Sequence, residues 1–240
     1  MERCLILSKG FLKNKFTSGF KYDTIGGMTL RQFLVFVGDL LYYKVIEKEL
    51  FGAKMVLDVG CGSWSPLANV KKTFYSVGID IHKPSIGEIK KKKIHDEYKI
   101  GDVLKIDKFF KPKSFDVVLA LDVIEHFEKK ESLNLIKQME KIAKKKVVIL
   151  TPNGFAKQDA YDGNLFQEHK SGWNISDFRR LGYKVFGIRG LRFLRGGEGG
   201  ATIKFKPWFL WGAISTLSQP LCFFIPQIAC QLLAVKEKRI

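Results

Sequence analysis

The chain has 240 residues, 46% hydrophobic and 27% charged, a balance that excludes an intrinsically disordered chain and suffices for one substantial core. Lys and Arg total 41 against 24 Asp and Glu, so the formal net charge of +17 favours anionic partners: nucleic acid, phosphorylated substrates or acidic lipid headgroups. The four cysteines, Cys4, Cys61, Cys222 and Cys230, form no CxxC pair or regular framework, which argues against a structural zinc module or a secreted disulfide scaffold and implies a reducing, cytoplasmic compartment.

Residues 1–15 carry Glu2, Arg3, Lys9, Lys13 and Lys15 and lack the continuous apolar stretch of a signal peptide. Residues 30–50 set Leu34, Val37, Leu41 and Val45 at helical spacing and end near Gly52, which predicts an amphipathic helix within an N-terminal cap, 1–50, that lids a site. From Lys54 onward, short β-branched runs at 55–59, 75–79, 115–121 and 147–150 read as buried parallel strands separated by crossover helices. A helix over 131–146 puts Leu133, Ile136, Met139 and Ala143 on one face and finishes in lysines, and the runs 90–93 and 144–146 both read as solvated helix ends. Asn174 caps a short helix through Arg180, Gly182 ends it, and 183–188 returns as a strand. Gly196, Gly197, Gly199 and Gly200 mark a loop with Arg192 and Arg195 beside it. The succession predicts an α/β domain over 51–203, a Rossmann-like, doubly wound, mostly parallel sheet, followed by an apolar extension over 204–240.

The strongest chemical signal is Val56-Leu57-Asp58-Val59-Gly60-Cys61-Gly62, an apolar strand running into a Gly-x-Gly turn that brings bare backbone close to a ligand at the carboxyl ends of the strands. Asp80 ends the next strand, where a carboxylate can accept both hydroxyls of a ribose. Asp102 follows a third run and is within reach of an adenine amino group. A dinucleotide site would carry a third glycine three residues after the second; Ser65 stands there, followed by Pro66, so no pyrophosphate is expected. A methionine ammonium and carboxylate fit the turn instead, with Asp58 placed to help hold the ammonium.

The series VLDVGCG, GID, GDV, FDVVLALDVIEH and ILTPNG resembles, in order and spacing, the successive motifs of class I S-adenosylmethionine-dependent methyltransferases, over roughly residues 50 to 190. The resemblance implies that Asp58, Gly60, Cys61 and Gly62 face the methionine part of S-adenosylmethionine. It assigns Asp80 and Ile81 to the ribose, Asp102 and Val103 to the adenine, and Asp122 to the cofactor's reacting end.

Asp122, Glu125 and His126 follow the fourth strand, and three readings stay open. Asp122 and Glu125 have capping-box spacing for a helix start. His126 can act as general base for a substrate hydroxyl. Asp122-x-x-Glu125-His126 with His169 also resembles the Glu-x-x-Glu-His metal site of small-RNA 2′-O-methyltransferases of the Hen type and of some ubiquinone-biosynthesis O-methyltransferases, which implies a divalent metal. Asp122 there stands in place of glutamate, a shorter arm. His169, in the loop 158–173, is expected to face the substrate and to be catalytic with His126.

Residues 207–235 carry no charge and are flanked by lysines; Pro220 and Pro226 divide them into two pieces. They read either as a hairpin dipping into an anionic leaflet or as two helices packed as core, against this domain or a second subunit. The expected activity is S-adenosylmethionine-dependent O-methylation of a small or lipid-linked hydroxyl compound, in the cytoplasm or peripheral at a membrane. The alternatives are an RNA methyltransferase and a membrane-associated binding protein without chemistry.

Overall fold

A computed structural model describes residues 24–25, 28–160, 164–200 and 202–238; the charged stretch 1–15, Cys4 and Arg239 lie outside them. Helix α1 (Leu30–Leu50) leads into β1 (Met55–Val59), β2 (Tyr75–Asp80), α2 (Lys83–Lys91), β3 (Glu97–Ile100), β4 (Phe115–Leu121), α3 (Lys129–Ile142) and β5 (Ala143–Pro152). Helix α4 (Ile175–Arg180), β6 (Lys184–Leu191), α5 (Trp208–Leu217), α6 (Gln219–Phe224) and β7 (Ala229–Glu237) follow. The sheet has seven strands in the order β3-β2-β1-β4-β5-β7-β6. The first five in that order run parallel, and β7 is antiparallel to both neighbours. This is the Rossmann-like, mostly parallel α/β fold that the sequence predicts.

Strands covered on both faces need apolar side chains at successive positions, and β1 and β4 meet that need. Leu57, Val59, Val118 and Ala120 join Ile136 and Met139 of α3, Phe178 of α4 and Trp173 in one core layer. Val56, Val117 and Leu119 point the other way, to Ile46 of α1 and Ile89 of α2. Both layers are shut off from solvent, so the carboxyl edge between strand order reversals at β1 and β4 is held by packing from above and below.

Two expectations change. Helix α3 stops at Ile142, where Ala143 turns extended (φ −70°, ψ 137°), so Lys144 to Lys146 open strand β5 instead of closing a helix. Their ammonium groups reach carboxylates: Lys145 Nζ lies 3.3 Å from Asp116 and Lys146 Nζ 2.8 Å from Glu49. The first lysine run behaves as expected in part, since Lys90 and Lys91 close α2, yet Lys92 Nζ donates to the carbonyl of Ser63 at 2.7 Å.

The C-terminal stretch is the larger change. Helices α5 and α6 pack over β6, but residues 229–237 return to the sheet between β5 and β6 as β7, with Leu232, Leu233 and Ala234 fully buried. The boundary expected at 204 therefore cuts through the domain, and the two-helix and membrane-hairpin readings do not apply to this part of the stretch. No described helix is long and apolar enough to cross a membrane.

Because β7 supplies backbone hydrogen bonds to both β5 and β6, a chain ending at Lys206 should show no cooperative unfolding transition by far-UV circular dichroism in urea. Leu232→Ala should retain the fold but lower stability by about 2–5 kcal/mol, the usual cost of emptying a buried leucine site; an unchanged urea midpoint would contradict this packing.

Candidate cofactor and acceptor site

The loop after β1 is built around two carboxylates. Gly60 leaves the strand at φ +69°, a left-handed conformation costly for any side chain, and a Cβ there would meet Val123 at 2.7 Å. The amides of Gly60 and Cys61 both donate to the carbonyl of Ile79, at 2.8 and 3.2 Å, which fastens the turn to the tip of β2. The Asp80 carboxylate completes the fastening: Oδ2 accepts from Gly62 N at 2.9 Å and Oδ1 from His82 N at 2.8 Å. Burial pushes the Asp80 carboxyl up, while these two amides act to lower it. Each oxygen keeps a lone pair for a further donor, as a ribose diol would be.

Asp58 sits beneath the turn instead of in it. Its Oδ2 accepts from Ser65 Oγ at 2.6 Å and lies 3.3 Å from His95 Nε2, and all three residues are buried. Ser65 in turn caps the short 3-10 turn Pro66–Asn69. Pro66 and this turn stand where a dinucleotide fold would start a long helix, so no helix N-terminus faces the glycines.

The cleft above the turn is lined by Gly60, Gly62, Asp80, Ile81, Val103 and Asp122, with Ser85, Val123, His126, Phe127 and the segment Asn164, Phe166 and Gln167 closing round it. Six of the nine residues expected to hold the cofactor thus share one cleft. Three do not line it. Cys61 is buried, with its thiol pushed up by desolvation. Asp58 is turned to Ser65 and His95. Asp102 caps a 3-10 turn through Leu104 N at 2.9 Å and pairs with Lys105 at 3.0 Å. Helix α1 covers the loop from the side: Tyr43 packs on Trp64 with ring centroids 6.3 Å apart, and Arg189 lies 4.8 Å over the Tyr42 ring.

In the wall of the cleft, directly after β4, stands Asp122, a non-glycine residue at φ +55°. Strain of this kind persists only where the surroundings impose it; here Asp122 N donates to Leu150 O at 3.0 Å and Oδ1 accepts from Gln231 Nε2 of β7 at 2.8 Å. The surrounding protein raises the Asp122 carboxyl to about 6, opposed by Arg189 and Gln231. The expected helix cap does not form, because the turn Ile124–His126 begins at Val123 with no side-chain cap and α3 starts later, where Glu131 reaches back to the Glu128 amide at 3.1 Å.

Glu125, His126 and His169 converge. One ligand atom from each lies within 4.8 Å of the others, and the imidazole centroids are 4.8 Å apart. The loop 167–173 is tied to the turn because Lys170 N and Ser171 N both donate to Glu125 O, at 2.8 and 3.0 Å. His126 Nδ1 faces the Glu168 carbonyl at 3.1 Å and His169 Nδ1 the Ala156 carbonyl at 2.6 Å. A carbonyl only accepts, so each Nδ1 carries its proton and each Nε2 presents a lone pair. Burial and the neighbouring His169 lower His126 to about 4, and burial lowers His169. The Glu125 carboxyl is pushed well up by burial and by Asp122, and neither of its shielded oxygens receives a hydrogen bond of ordinary geometry. Two neutral imidazoles and an orphaned buried carboxylate fit a divalent cation. Asp122, expected as a fourth ligand, is not part of this group.

Sequence reasoning passed over Ser65, His95 and Gln231 as site residues. Ser65 was legible as a departure from glycine; His95 and Gln231 reach Asp58 and Asp122 only through the fold, and nothing local marks them.

A family model described as a methyltransferase domain matches residues 57–151. An uncharacterised protein of Methanocaldococcus jannaschii is 30% identical over 156 residues, which span 65% of this chain and 64% of that protein. Among solved structures, a SAM-dependent methyltransferase from Archaeoglobus fulgidus superposes with a TM-score of 0.50 at 17% identity, covering 82% of this chain and 94% of that one. One from Methanosarcina mazei gives 0.52 at 14%, covering 82% and 97%. The small RNA methyltransferase HEN1 gives 0.53 at 17%, over 95% of this chain and 27% of that one. These likenesses speak for the fold. The family match makes residues 57–151 a methyltransferase domain, and the solved structures show the fold that this chain shares with S-adenosylmethionine-dependent methyltransferases.

Proposed function

We propose that the protein transfers the methyl group of S-adenosylmethionine to a hydroxyl oxygen of a small or lipid-linked acceptor. The observation that carries this reading is the Glu125, His126 and His169 group, set at the end of the cofactor cleft that His126 itself lines. In-line displacement at a sulfonium methyl needs little help for the leaving group, so the protein's contributions are alignment and handling of the acceptor proton. Gly60 and Gly62 give the methionine part an open backbone surface, and Asp80 accepts from the ribose hydroxyls. Asp58, Ser65 and His95 act as positioning residues that hold the loop from below.

Glu125, His126 and His169 would hold a divalent cation, with Asp122 facing the cofactor instead. Such a cation supplies a Lewis acid that lowers the pKa of a bound hydroxyl. A bulky aliphatic alcohol needs that help more than an amine does. The lipid-linked class is supported by the end of α5 and the short helical turn of α6, where Leu217 and Phe224 are each 79% exposed and Leu221 and Ile225 are exposed as well, a concentration of apolar surface unusual away from an interface. Lys204 and Lys206 lie close in sequence and suit an anionic surface.

Three outcomes are expected. Asp80→Ala should weaken S-adenosylhomocysteine binding by at least roughly tenfold in calorimetry, from loss of two charged hydrogen bonds and loosening of the turn. His169→Ala and Glu125→Gln should each reduce Mn²⁺ binding and methyl transfer by roughly 10- to 100-fold while leaving S-adenosylhomocysteine affinity within about twofold; full turnover by His169→Ala would sink its role. Leu217→Glu combined with Phe224→Glu should abolish flotation with phosphatidylserine-containing liposomes, and equal flotation of variant and wild type would dismiss contact through this turn.

A further inference from the structure

The cleft that Gly60, Gly62 and Asp80 build is narrow. Its free volume is about 70 Å³, well below the roughly 300–1,000 Å³ of sites that hold a small molecule. An amino acid joined to a nucleoside does not fit there until part of the wall gives way. The sheet side is fixed. The amides of Gly60 and Cys61 are fastened to Ile79 O, that of Gly62 to Asp80 and that of Asp122 to Leu150 O. Ile79 and Leu150 belong to β2 and β5, each paired with a strand on both sides.

The opposite wall is the short turn Leu165–Gln167, entered from Asn164; Asn164, Phe166 and Gln167 all line the cleft. Two of its hydrogen bonds are internal: Phe166 N donates to Asn164 Oδ1 at 3.0 Å and Gln167 N to Asn164 O at 3.2 Å. From outside, Gln158 Nε2 donates to the Gln167 carbonyl at 2.8 Å. The residues that follow are tied to the sheet edge. Lys170 N and Ser171 N donate to Glu125 O, Lys129 Nζ donates to Gly172 O at 3.1 Å, and Gly154 N donates to the carbonyl of the fully buried Trp173. The change from local bonds to bonds with the sheet edge falls at Gln167–Glu168, which makes that peptide a pivot. Leu165 and Phe166 are already 76% and 49% exposed, so moving the turn uncovers little further apolar surface.

We propose that Asn164–Gln167 is a strap across the cofactor cleft: it swings out about Gln167–Glu168 to admit S-adenosylmethionine and returns over it, with Phe166 as the side chain that covers the nucleoside. The proposal rests on the cofactor reading of this cleft and adds the residue that governs entry and release. A flat aromatic ring that lines the cleft while half exposed has surface left to bury against a ribose or purine face. Glu168 O, on the tied side of the pivot, faces His126 Nδ1 at 3.1 Å, so the Glu125, His126 and His169 group keeps its place while the strap moves.

The test is the kinetics of S-adenosylhomocysteine binding to the full chain by surface plasmon resonance, with calorimetry for affinity. Phe166→Ala should raise the association and dissociation rates together, each by roughly tenfold. Gln158→Ala, which removes the tie to Gln167, should raise both by roughly fivefold. Leu165→Ala, next to Phe166 but outside the cleft wall, should leave both within about twofold; the same effect there as in Phe166→Ala overturns the assignment to Phe166. Chymotryptic cleavage after Phe166, read by mass spectrometry, should slow by at least roughly tenfold at saturating S-adenosylhomocysteine, and an equal rate with and without it overturns the covering role. Faster association with unchanged dissociation in Phe166→Ala makes the ring a passive filling and overturns that role as well. Unchanged rates in both Phe166→Ala and Gln158→Ala, with S-adenosylhomocysteine still bound, sink the strap and leave the cofactor reading intact. Failure of both wild type and Phe166→Ala to bind S-adenosylhomocysteine removes the cofactor reading itself, whereas binding by Phe166→Ala alone supports the strap as the barrier.

Discussion

Everything at the carboxyl edge depends on the Asp80 carboxylate receiving the amides of Gly62 and His82. One side chain at the tip of β2 thereby fixes the loop after β1 and the entry to α2 together. Hydrogen bonds to an ionised group are worth roughly 1.5–3 kcal/mol each, enough to hold a turn whose glycine geometry has little preference of its own. The residue that shapes the cleft also lines it, so whatever enters there meets the carboxylate that orders the loop.

Beneath the loop, Asp58, Ser65 and His95 form a polar cluster inside an apolar domain. Isolated polar groups in such a place are destabilising, and pairing them makes the arrangement specific. Ser65 and Pro66 together replace a helix start with a brief 3-10 turn. That substitution removes the positive helix end that a pyrophosphate would seek, which suits a cofactor that has no phosphate, an amino acid joined to a nucleoside.

The strands that carry the motifs were legible because their signal is local: apolar runs at Met55–Val59 and Phe115–Leu121, each ending in glycine or acid. The span of helix α1, Leu30–Leu50, was equally clear, but the side chains it buries are Tyr42, Ile46 and Leu50, one position round from Leu41 and Val45, and Leu41 stays 37% exposed. The convergence of Glu125, His126 and His169 was half legible. Glu125 and His126 are adjacent in sequence and His169 was within reach as a loop histidine, but Asp122 looked like an equal partner until its positive φ and the Gln231 bond turned it elsewhere. Lys144 to Lys146 misled because charge at a helix end and charge at the solvent end of a strand read alike. Residues 229–235 misled for a related reason: a strand covered on both faces is an uninterrupted apolar run, which periodicity cannot distinguish from a buried helix.

The position of β7 also governs how the domain can assemble. Its two neighbours, β5 and β6, are both made earlier along the chain, and neither pairs with the other. During synthesis they wait with open hydrogen-bonding edges until residues 229–237 arrive to slide between them. A nascent chain therefore passes through a stage with two exposed β edges, the condition that invites mispairing with other chains.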